Sequence, residues 1–461
     1  MQKEADVNSP FSVQFIGATG TVTGSKYVVR YGRHQVLIDC GLFQGIKNMR
    51  RRNWAELPLQ PAQLDAVLLT HAHIDHSGYL PALMKQGYHG PIHCSEGSKA
   101  LCKVLLPDAG YLQEEDAKYA NKKKFSRHAP AEPLYTEDDA RKVLRQFKAH
   151  DFGEAIELPG GLLAEFFPVG HILGASAIRL TYQGKRIIFS GDVGRSDDLI
   201  MYPPQPLPEA DYLVVESTYG DRRHEYVDEH QVIADIINRT AARGGIVLMP
   251  AFAVGRAQMV LHILAQLRQQ QRIPTMPIYL NSPMAIRATE IFFDFHQQHK
   301  LTQADCQLMD DITTYVKTVE ESIELNNRKY PSVIISASGM ASGGRVLHHL
   351  KTLVSDARNS VLFLGYQAAG TRGDAMTHGA EHIKIHGQYF PVRAEVHNLP
   401  ALSSHGDYVE IIDWLKRSEC QPKQVFVTHG EASAADSMRL HIQDELGWSA
   451  EVPEYLQSVE L

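Results

Sequence analysis

Seven short apolar runs, rich in β-branched residues, each break abruptly into a polar or glycine-rich turn. They are Val67–Thr70 before His71, Ile187–Phe189 before Ser190-Gly191-Asp192, Leu213–Val215 before Glu216, Ile246–Leu248 before Pro250, Val333–Ile335 before Ser336, Val361–Leu364 before Gly365, and Val425–Thr428 before His429. Runs of that length, bounded by turn residues, predict buried strands. Between several of them the apolar positions take helical spacing, notably over Val232–Ala242 and Ala257–Gln269. The alternation predicts an α/β fold with polar groups gathered at the carboxyl ends of strands, where open sheets bind ligands. It is most regular from about Asp211 to Leu364, while the flanking segments carry most of the His and Asp motifs. Pro203-Pro204-Gln205-Pro206-Leu207-Pro208 predicts an extended linker.

At 461 residues the chain is long for one domain, so two or three are expected. With 44% hydrophobic and 21% charged residues it is neither disordered nor collagen-like. A net charge of −7 argues against a surface coated for non-specific nucleic-acid binding, though not against a local basic groove. Cys40, Cys94, Cys102, Cys306 and Cys420 form no CxxC pair, which predicts reduced thiols and a cytoplasmic location. The opening MQKEADVNSPF has no apolar signal core, and the longest apolar stretch, Ile246 to Leu264, is interrupted by Pro250, Arg256 and Gln258. No membrane partner is expected. The 23 His are the outlying count, because many fall in short motifs.

His71-Ala72-His73-Ile74-Asp75-His76 places three imidazoles and a carboxylate directly after a predicted strand. On such a loop His71 and His73 can face one ion while Asp75 and His76 face a second. Neutral imidazole and carboxylate suit Zn²⁺, with Mn²⁺ or iron as alternatives. His171, Asp192 and His429 each follow a predicted strand as well. A lone His there is ordinarily a hydrogen-bonded structural residue; beside the six-residue cluster each becomes a ligand candidate.

These motifs resemble the metallo-β-lactamase superfamily, and the region beyond them resembles its β-CASP nucleases. The likeness runs from Gly17 to Glu431 through Val22-Thr23-Gly24-Ser25, Asp39-Cys40-Gly41-Leu42-Phe43-Gln44-Gly45, Glu216-Ser217-Thr218-Tyr219-Gly220-Asp221-Arg222, Pro250-Ala251-Phe252-Ala253-Val254-Gly255-Arg256, Ser404-His405-Gly406-Asp407 and His429-Gly430-Glu431. The resemblance implies an αββα sandwich with an inserted α/β β-CASP domain, the active site lying in the cleft between. Residues 1–208 and 386–461 would form the sandwich, and 209–385 the insert. It further implies two Zn²⁺ (or Mn²⁺), one held by His71, His73, His171 and Asp192. The other would be held by Asp75, His76, Asp192 and His429, with Asp192 bridging. Two close cations need such a shared anion to offset their repulsion. Asp39 would orient a ligand from behind, although an Asp before Gly41 is also an ordinary turn former.

Two cations and an activated hydroxide hydrolyse esters, amides, thioesters or phosphodiesters alike. A phosphodiester further asks for a proton on the leaving oxygen and for donors to its other oxygens. By resemblance His405, held by Glu216, is the acid, with Asp75 the third catalytic group. Arg256 opens a predicted helix, and Ser338-Gly339-Met340-Ala341-Ser342-Gly343-Gly344-Arg345 and Thr371-Arg372-Gly373 repeat the design. Ser338, Gly339, Ser342, Gly343, Arg256, Arg345 and Arg372 are therefore expected to cradle phosphates. The basic run Lys122–His128, with Phe125 to stack on a base, is expected near the entrance. A His at position 429 goes with the RNA-directed members of the family. The expectation is a compact prokaryotic ribonuclease that cleaves single-stranded RNA to 5′-phosphate and 3′-hydroxyl ends. A homodimer is entertained without any motif to fix it. The alternatives are a small-molecule (thio)ester hydrolase of the same fold, a DNA-directed β-CASP nuclease, or a scaffold that has lost catalysis.

Overall fold

The computed structural model describes residues 10–124, 128–368 and 370–461. They divide into two compact units. The first comprises the chain up to Asp197, then Pro203–Arg223 and His405–Leu461; the second comprises Asp198–Tyr202 and His224–Ser404.

In the first unit two seven-stranded sheets share one core. One sheet runs, edge to edge, through Ser458–Glu460, Ser12–Phe15, Tyr27–Tyr31, His34–Ile38, Ala66–Leu68, Ile92–Ser95 and Phe147–His150. The other runs through Ala450–Glu451, Gln424–Val427, Tyr212–Val215, Lys185–Phe189, Ser176–Tyr182, Leu162–Pro168 and Ile156–Leu158. Val13, Phe15, Val29, Val36 and Leu68 of the first sheet meet Phe166, Ile178, Ile187, Val214 and Phe426 of the second, all essentially inaccessible to solvent. The helix Glu96–Lys123 packs on Ile92–Ser95, and Ala432–Leu446 packs beside Gln424–Val427. Helices on both outer faces complete the αββα sandwich. The hairpin strand Leu162–Pro168 alternates buried and accessible positions at its start, as an antiparallel outer strand does.

The second unit is a six-stranded sheet in the order Thr313–Tyr315, Ile278–Leu280, Ser332–Ser336, Ile246–Pro250, Ser360–Leu364, Glu395–Leu399, all pairs parallel. Its four inner strands Ile278–Leu280, Ser332–Ser336, Ile246–Pro250 and Ser360–Leu364 are buried at every position, because helices cover both faces. Pro250 is tolerated as the last residue of its strand, where the ladder ends.

All seven apolar runs are strands, and helices occupy Glu229–Ala242 and Arg256–Gln269. The stretch from Pro203 to Pro208 has no regular structure. Both seams expected from the sequence differ from those of the compact units, for reasons visible in the strand pairing. Tyr212–Val215 is hydrogen-bonded between Lys185–Phe189 and Gln424–Val427, so the first unit keeps the chain as far as Arg223. Glu395–Leu399 pairs with Ser360–Leu364, so the second unit continues to Ser404 rather than ending at residue 385.

Phe426 spans the first unit's core, its ring 5.2 Å from that of Phe15 in the opposite sheet. Phe426→Ala is expected to cost about 3–5 kcal/mol, the range for an aromatic truncated in a close-packed core. A urea midpoint for the first unit that does not move would contradict this placement of the core.

Candidate metal centre

Four separate strand ends of the first unit bring the sequence-predicted ligands together. His71 and His73 leave Ala66–Leu68, and Asp75 and His76 lie in the single helical turn Ile74–Ser77 that follows. His171 follows Leu162–Pro168, Asp192 follows Lys185–Phe189, and His429 follows Gln424–Val427. Candidate ligand atoms of His71, His73, His171 and Asp192 all lie within 4.8 Å of one another, and so do those of Asp75, His76 and His429.

Ring nitrogens face each other within both clusters. His73 Nδ1 is 3.2 Å from Nε2 of His71 and 3.2 Å from Nε2 of His171. Asp192 Oδ2 lies 3.4 Å and 3.6 Å from those two Nε2 atoms. In the second cluster His76 Nε2 is 3.1 Å from His429 Nε2 and 3.2 Å from Asp192 Oδ1, and Asp75 Oδ2 is 3.5 Å from His429 Nε2. Asp192 Oδ1 accepts no hydrogen bond among the described residues although it is buried. Two donors on a tetrahedral zinc, at about 2.0–2.1 Å each, stand about 3.3 Å apart. The spacing and the facing acceptors both fit one cation in each cluster, with Asp192 offering one oxygen to each.

Hydrogen bonds behind the ligands fix which nitrogen points inward. Asp39 Oδ2 takes the Nδ1–H of His76 at 2.7 Å, leaving Nε2 toward Asp192. The Thr70 hydroxyl donates to Asp39 and stands 3.1 Å from His71 Nδ1, so His71 also presents Nε2. Thr218 Oγ1 receives His429 Nδ1–H at 3.2 Å, with the same result. This is the carboxylate–imidazole arrangement that raises a ligand's basicity and holds its ring. Asp39 has φ of 56°, a left-handed turn residue, so its turn-forming and ligand-orienting roles coexist.

Charge is balanced unevenly across the pair. Burial lowers the pKa of His71 to about 3 and that of His73 to about 4, so both are neutral and ready to ligate. Burial also acts against a proton on His76, but the Asp192 and Asp39 carboxylates on either side raise its pKa well above the ordinary value. For Asp75, burial raises and the His429 contact lowers, and the net is downward.

At the rim, His405 Nδ1 lies 3.0 Å and 3.1 Å from the two Glu216 oxygens, and its Nε2 is 4.0 Å from Asp192 Oδ2. Glu216 is buried and held by the Val193 and Thr218 amides at 2.6 Å and 3.2 Å. Burial would strip the proton from His405, but Glu216 and Asp192 more than offset it and push the pKa up to about 9. A cation bound at Asp192 would lower it again toward neutrality.

Backbone contacts lock the Asp39 loop onto the ligand-bearing turn. Cys40 N donates to His76 O, Leu42 N to Ile74 O and Ser25 N to Asp75 O. A Cβ on Gly41 would fall 1.5 Å from Asp75 O, so no other residue fits there. The buried Lys26 joins the same loops. Its ammonium donates to the Gly41 carbonyl and lies 4.6 Å and 4.9 Å over the Phe43 and Tyr79 rings, and burial lowers its pKa to about 8. Thr70 and Lys26 were missed at the sequence level. Adjacency to His71 and to the Thr23-Gly24-Ser25 turn was the available signal.

The expected phosphate cradles look different in the second unit. Arg256 is buried, its guanidinium against Gly365 and near Asp198. The amide N–H groups of Arg256 and Ala257 already donate to Val254 O and Phe252 O. Arg345 donates to Asn281 Oδ1 and to the Val316 and Lys317 carbonyls, while Arg372 donates to the Lys384, Ala341 and Ser342 carbonyls. Ser338 Oγ accepts from the Ser342 and Gly343 amides, closing that turn on itself, and Gly339 is buried against Phe252. Arg345 and Arg372 thus hold loop carbonyls together in this structure, as guanidinium groups do beside Gly-rich turns. In the entrance run, Lys122–Lys124 end the helix Glu96–Lys123 as exposed residues, whereas Phe125 lies outside the described residues.

Comparison with known proteins bears on the whole chain. It matches the family models for the metallo-beta-lactamase superfamily over residues 19–234, the Beta-Casp domain over 257–376 and the Zn-dependent metallo-hydrolase RNA specificity domain over 389–453. It is 35% identical to Ribonuclease TTHA0252 of Thermus thermophilus, over 90% of this chain and 92% of that protein. It is 29% identical to the transcription termination factor FttA of Methanocaldococcus jannaschii, over 93% of this chain and 68% of that protein. An RNase J-like protein of the same archaeon is 28% identical, over 96% and 97% of the two chains. A solved structure of a protein of unknown function from Enterococcus faecalis V583 shares the fold, with a TM-score of 0.53 at 13% identity, covering 98% of this chain and all of that one. No helix among the described residues is long and apolar enough to cross a membrane.

Because His76 carries a proton between two carboxylates, cation binding at the second cluster must expel it. Affinity is therefore expected to rise with pH, and titration calorimetry in buffers of different ionisation enthalpy should register release of about one proton. Asp39→Asn is expected to weaken the second site about 10- to 100-fold while sparing the first. Equal loss at both sites would detach Asp39 from His76.

Proposed function

This chain belongs to the β-CASP branch of the metallo-β-lactamase superfamily, and on that footing we propose that it is a metal-dependent ribonuclease. The observation that carries the reading is the His405–Glu216 pair, 3.0 Å apart, set against two His/Asp clusters, Asp192 belonging to the first and lying 3.2 Å from His76 of the second. His71, His73, His171 and Asp192 would hold one divalent ion, and Asp75, His76, His429 and Asp192 the other. The thiolate-free set of imidazoles and carboxylates suits Zn²⁺, with Mn²⁺ as the alternative. Bound there, the ions supply Lewis acidity and a deprotonated water for in-line attack on phosphorus.

The chain's own residues do the rest. His405 carries its proton on Nε2, toward Asp192, because Nδ1–H is committed to Glu216. It gives that proton to the departing O3′ as the P–O3′ bond breaks, leaving a 3′-hydroxyl and a 5′-phosphate. Glu216, fixed by two amides, keeps the imidazole in that tautomer and stabilises its charged form. Asp75 is the one ligand carboxylate with appreciable exposure, which suits it to orient the attacking water. The relatives named as ribonuclease and RNase J-like support RNA as the polymer, and the RNA specificity domain at 389–453 agrees. Five free, buried cysteines support a reducing, cytoplasmic setting.

Purified protein loaded with Zn²⁺ or Mn²⁺ is expected to cut end-labelled single-stranded RNA to 5′-phosphate products and to spare the matched DNA. Equal turnover of both strands would defeat the RNA assignment. His405→Ala should retain both ions and lose roughly 10²- to 10⁴-fold in kcat, the span of a lost general acid. Unchanged kcat would remove His405 from the reaction.

A further inference from the structure

Directly after the Asp39 loop the chain reads Gln44-Gly45-Ile46-Lys47-Asn48-Met49-Arg50-Arg51-Arg52-Asn53-Trp54. Four cations and no acid fall within eleven residues of a chain whose net charge is −7. The segment folds as the helix Lys47–Arg51, with no buried residue, followed by the turn Arg52–Trp54. Lys47, Arg50 and Arg51 stand at i, i+3 and i+4, on one helix face, where like charges repel. Among the described residues no ion pair relieves them. Arg50 does register on Asp116, whose carboxyl is raised by burial and lowered by that arginine. Beside the cations Trp54 is 63% exposed. An uncompensated cluster and an open indole both cost the free protein something, and both are satisfied by an anionic partner with flat faces.

The segment is firmly seated. Asn53 is buried; its amide donates to Phe43 O at 2.8 Å, and its Oδ1 accepts from Phe43 N at 2.9 Å. The Arg52 guanidinium lies over the Tyr455 ring at 4.6 Å and the Phe43 ring at 5.4 Å. Phe43 directly follows Gly41 and Leu42, whose backbones abut Asp75 and Ile74. The shelf is thus fastened, through one five-residue loop, to the turn that carries two of the metal-ligand candidates.

We infer that Lys47, Arg50, Arg51 and Trp54 form a binding shelf for single-stranded RNA flanking the scissile bond, the cations at phosphates and the indole stacked on a base. This rests on the ribonuclease reading and extends it to a surface built from neither the His/Asp clusters nor the Gly-rich turns. RNA is favoured over a lipid surface because one indole and Ile46 give a thin apolar anchor, while phosphate charge and base faces match the rest.

The test compares metal-loaded wild type with Arg50→Ala/Arg51→Ala, Trp54→Ala and Trp54→Phe on a labelled single-stranded RNA of about twenty nucleotides, with metal content and melting checked for each. The double variant is expected to keep kcat at saturating RNA, raise KM about 10-fold or more, and lower the slope of log affinity against log salt by about 1.4, that is 0.7 per phosphate contact. Trp54→Ala should raise KM roughly 5- to 100-fold with the salt slope unchanged, and Trp54→Phe should recover most of it. RNA cleaved by wild type and variants with the same KM and salt slope would overturn the shelf alone. Wild type that neither binds nor cleaves RNA would overturn the shelf together with the ribonuclease reading. Loss of binding to phosphatidylglycerol vesicles in the same variants, with KM for RNA unmoved, would give the surface to lipid and overturn the inference.

Discussion

One buried carboxylate governs the first unit. Asp192 sits among the imidazoles of His71, His76, His171 and His429 with no hydrogen bond to its Oδ1. An anion taken out of water survives only where positive charge meets it. The surrounding nitrogens can meet it in two ways, as protonated rings or as neutral donors to cations. The sandwich is arranged so that both remain open: His71 and His73 are driven neutral by burial, while His76 is kept basic by carboxylates on either side. The centre is therefore poised between a protonated and a metallated form.

Geometry of this quality on loops requires that the loops themselves be over-determined. Gly41 touching Asp75 O, the three amide bonds from the 25–42 region to residues 74–76, and Lys26 capping the Gly41 carbonyl supply that constraint. Gly194 adds another, since a Cβ there would fall 2.3 Å from the Gly170 carbonyl beside His171. The same packing passes outward through Phe43 and Asn53 to the basic helix, so the catalytic loop and the proposed RNA shelf form one mechanical piece.

Much of this was legible in the sequence because each ligand stands at a chemically loud position, a His or Asp where an apolar strand stops. Strand ends followed from that punctuation, and the sandwich and its insert from the family resemblance that the same motifs carry. What escaped was what spacing does not encode. The helix Glu96–Lys123 runs through Pro107, which local propensity would have placed at a break. Arg256, Arg345 and Arg372 read as phosphate ligands because an Arg beside glycines has the right chemistry; only the fold reveals that Arg256 is buried and that Arg345 and Arg372 also hold loop carbonyls. Thr70 and Lys26 matter through partners distant in sequence, and strands 212–215 and 395–399 take their sheets by pairing rather than by composition.

The order of the ligands along the polypeptide has a consequence during synthesis. His71 emerges from a ribosome long before His429, and strand Gln424–Val427, which leads into His429 and lies next to one edge of its sheet, comes after the whole second unit. A nascent chain therefore lacks both His405 and His429 until more than four hundred residues have been made. Translation itself thus sets the order in which the two His/Asp clusters can assemble.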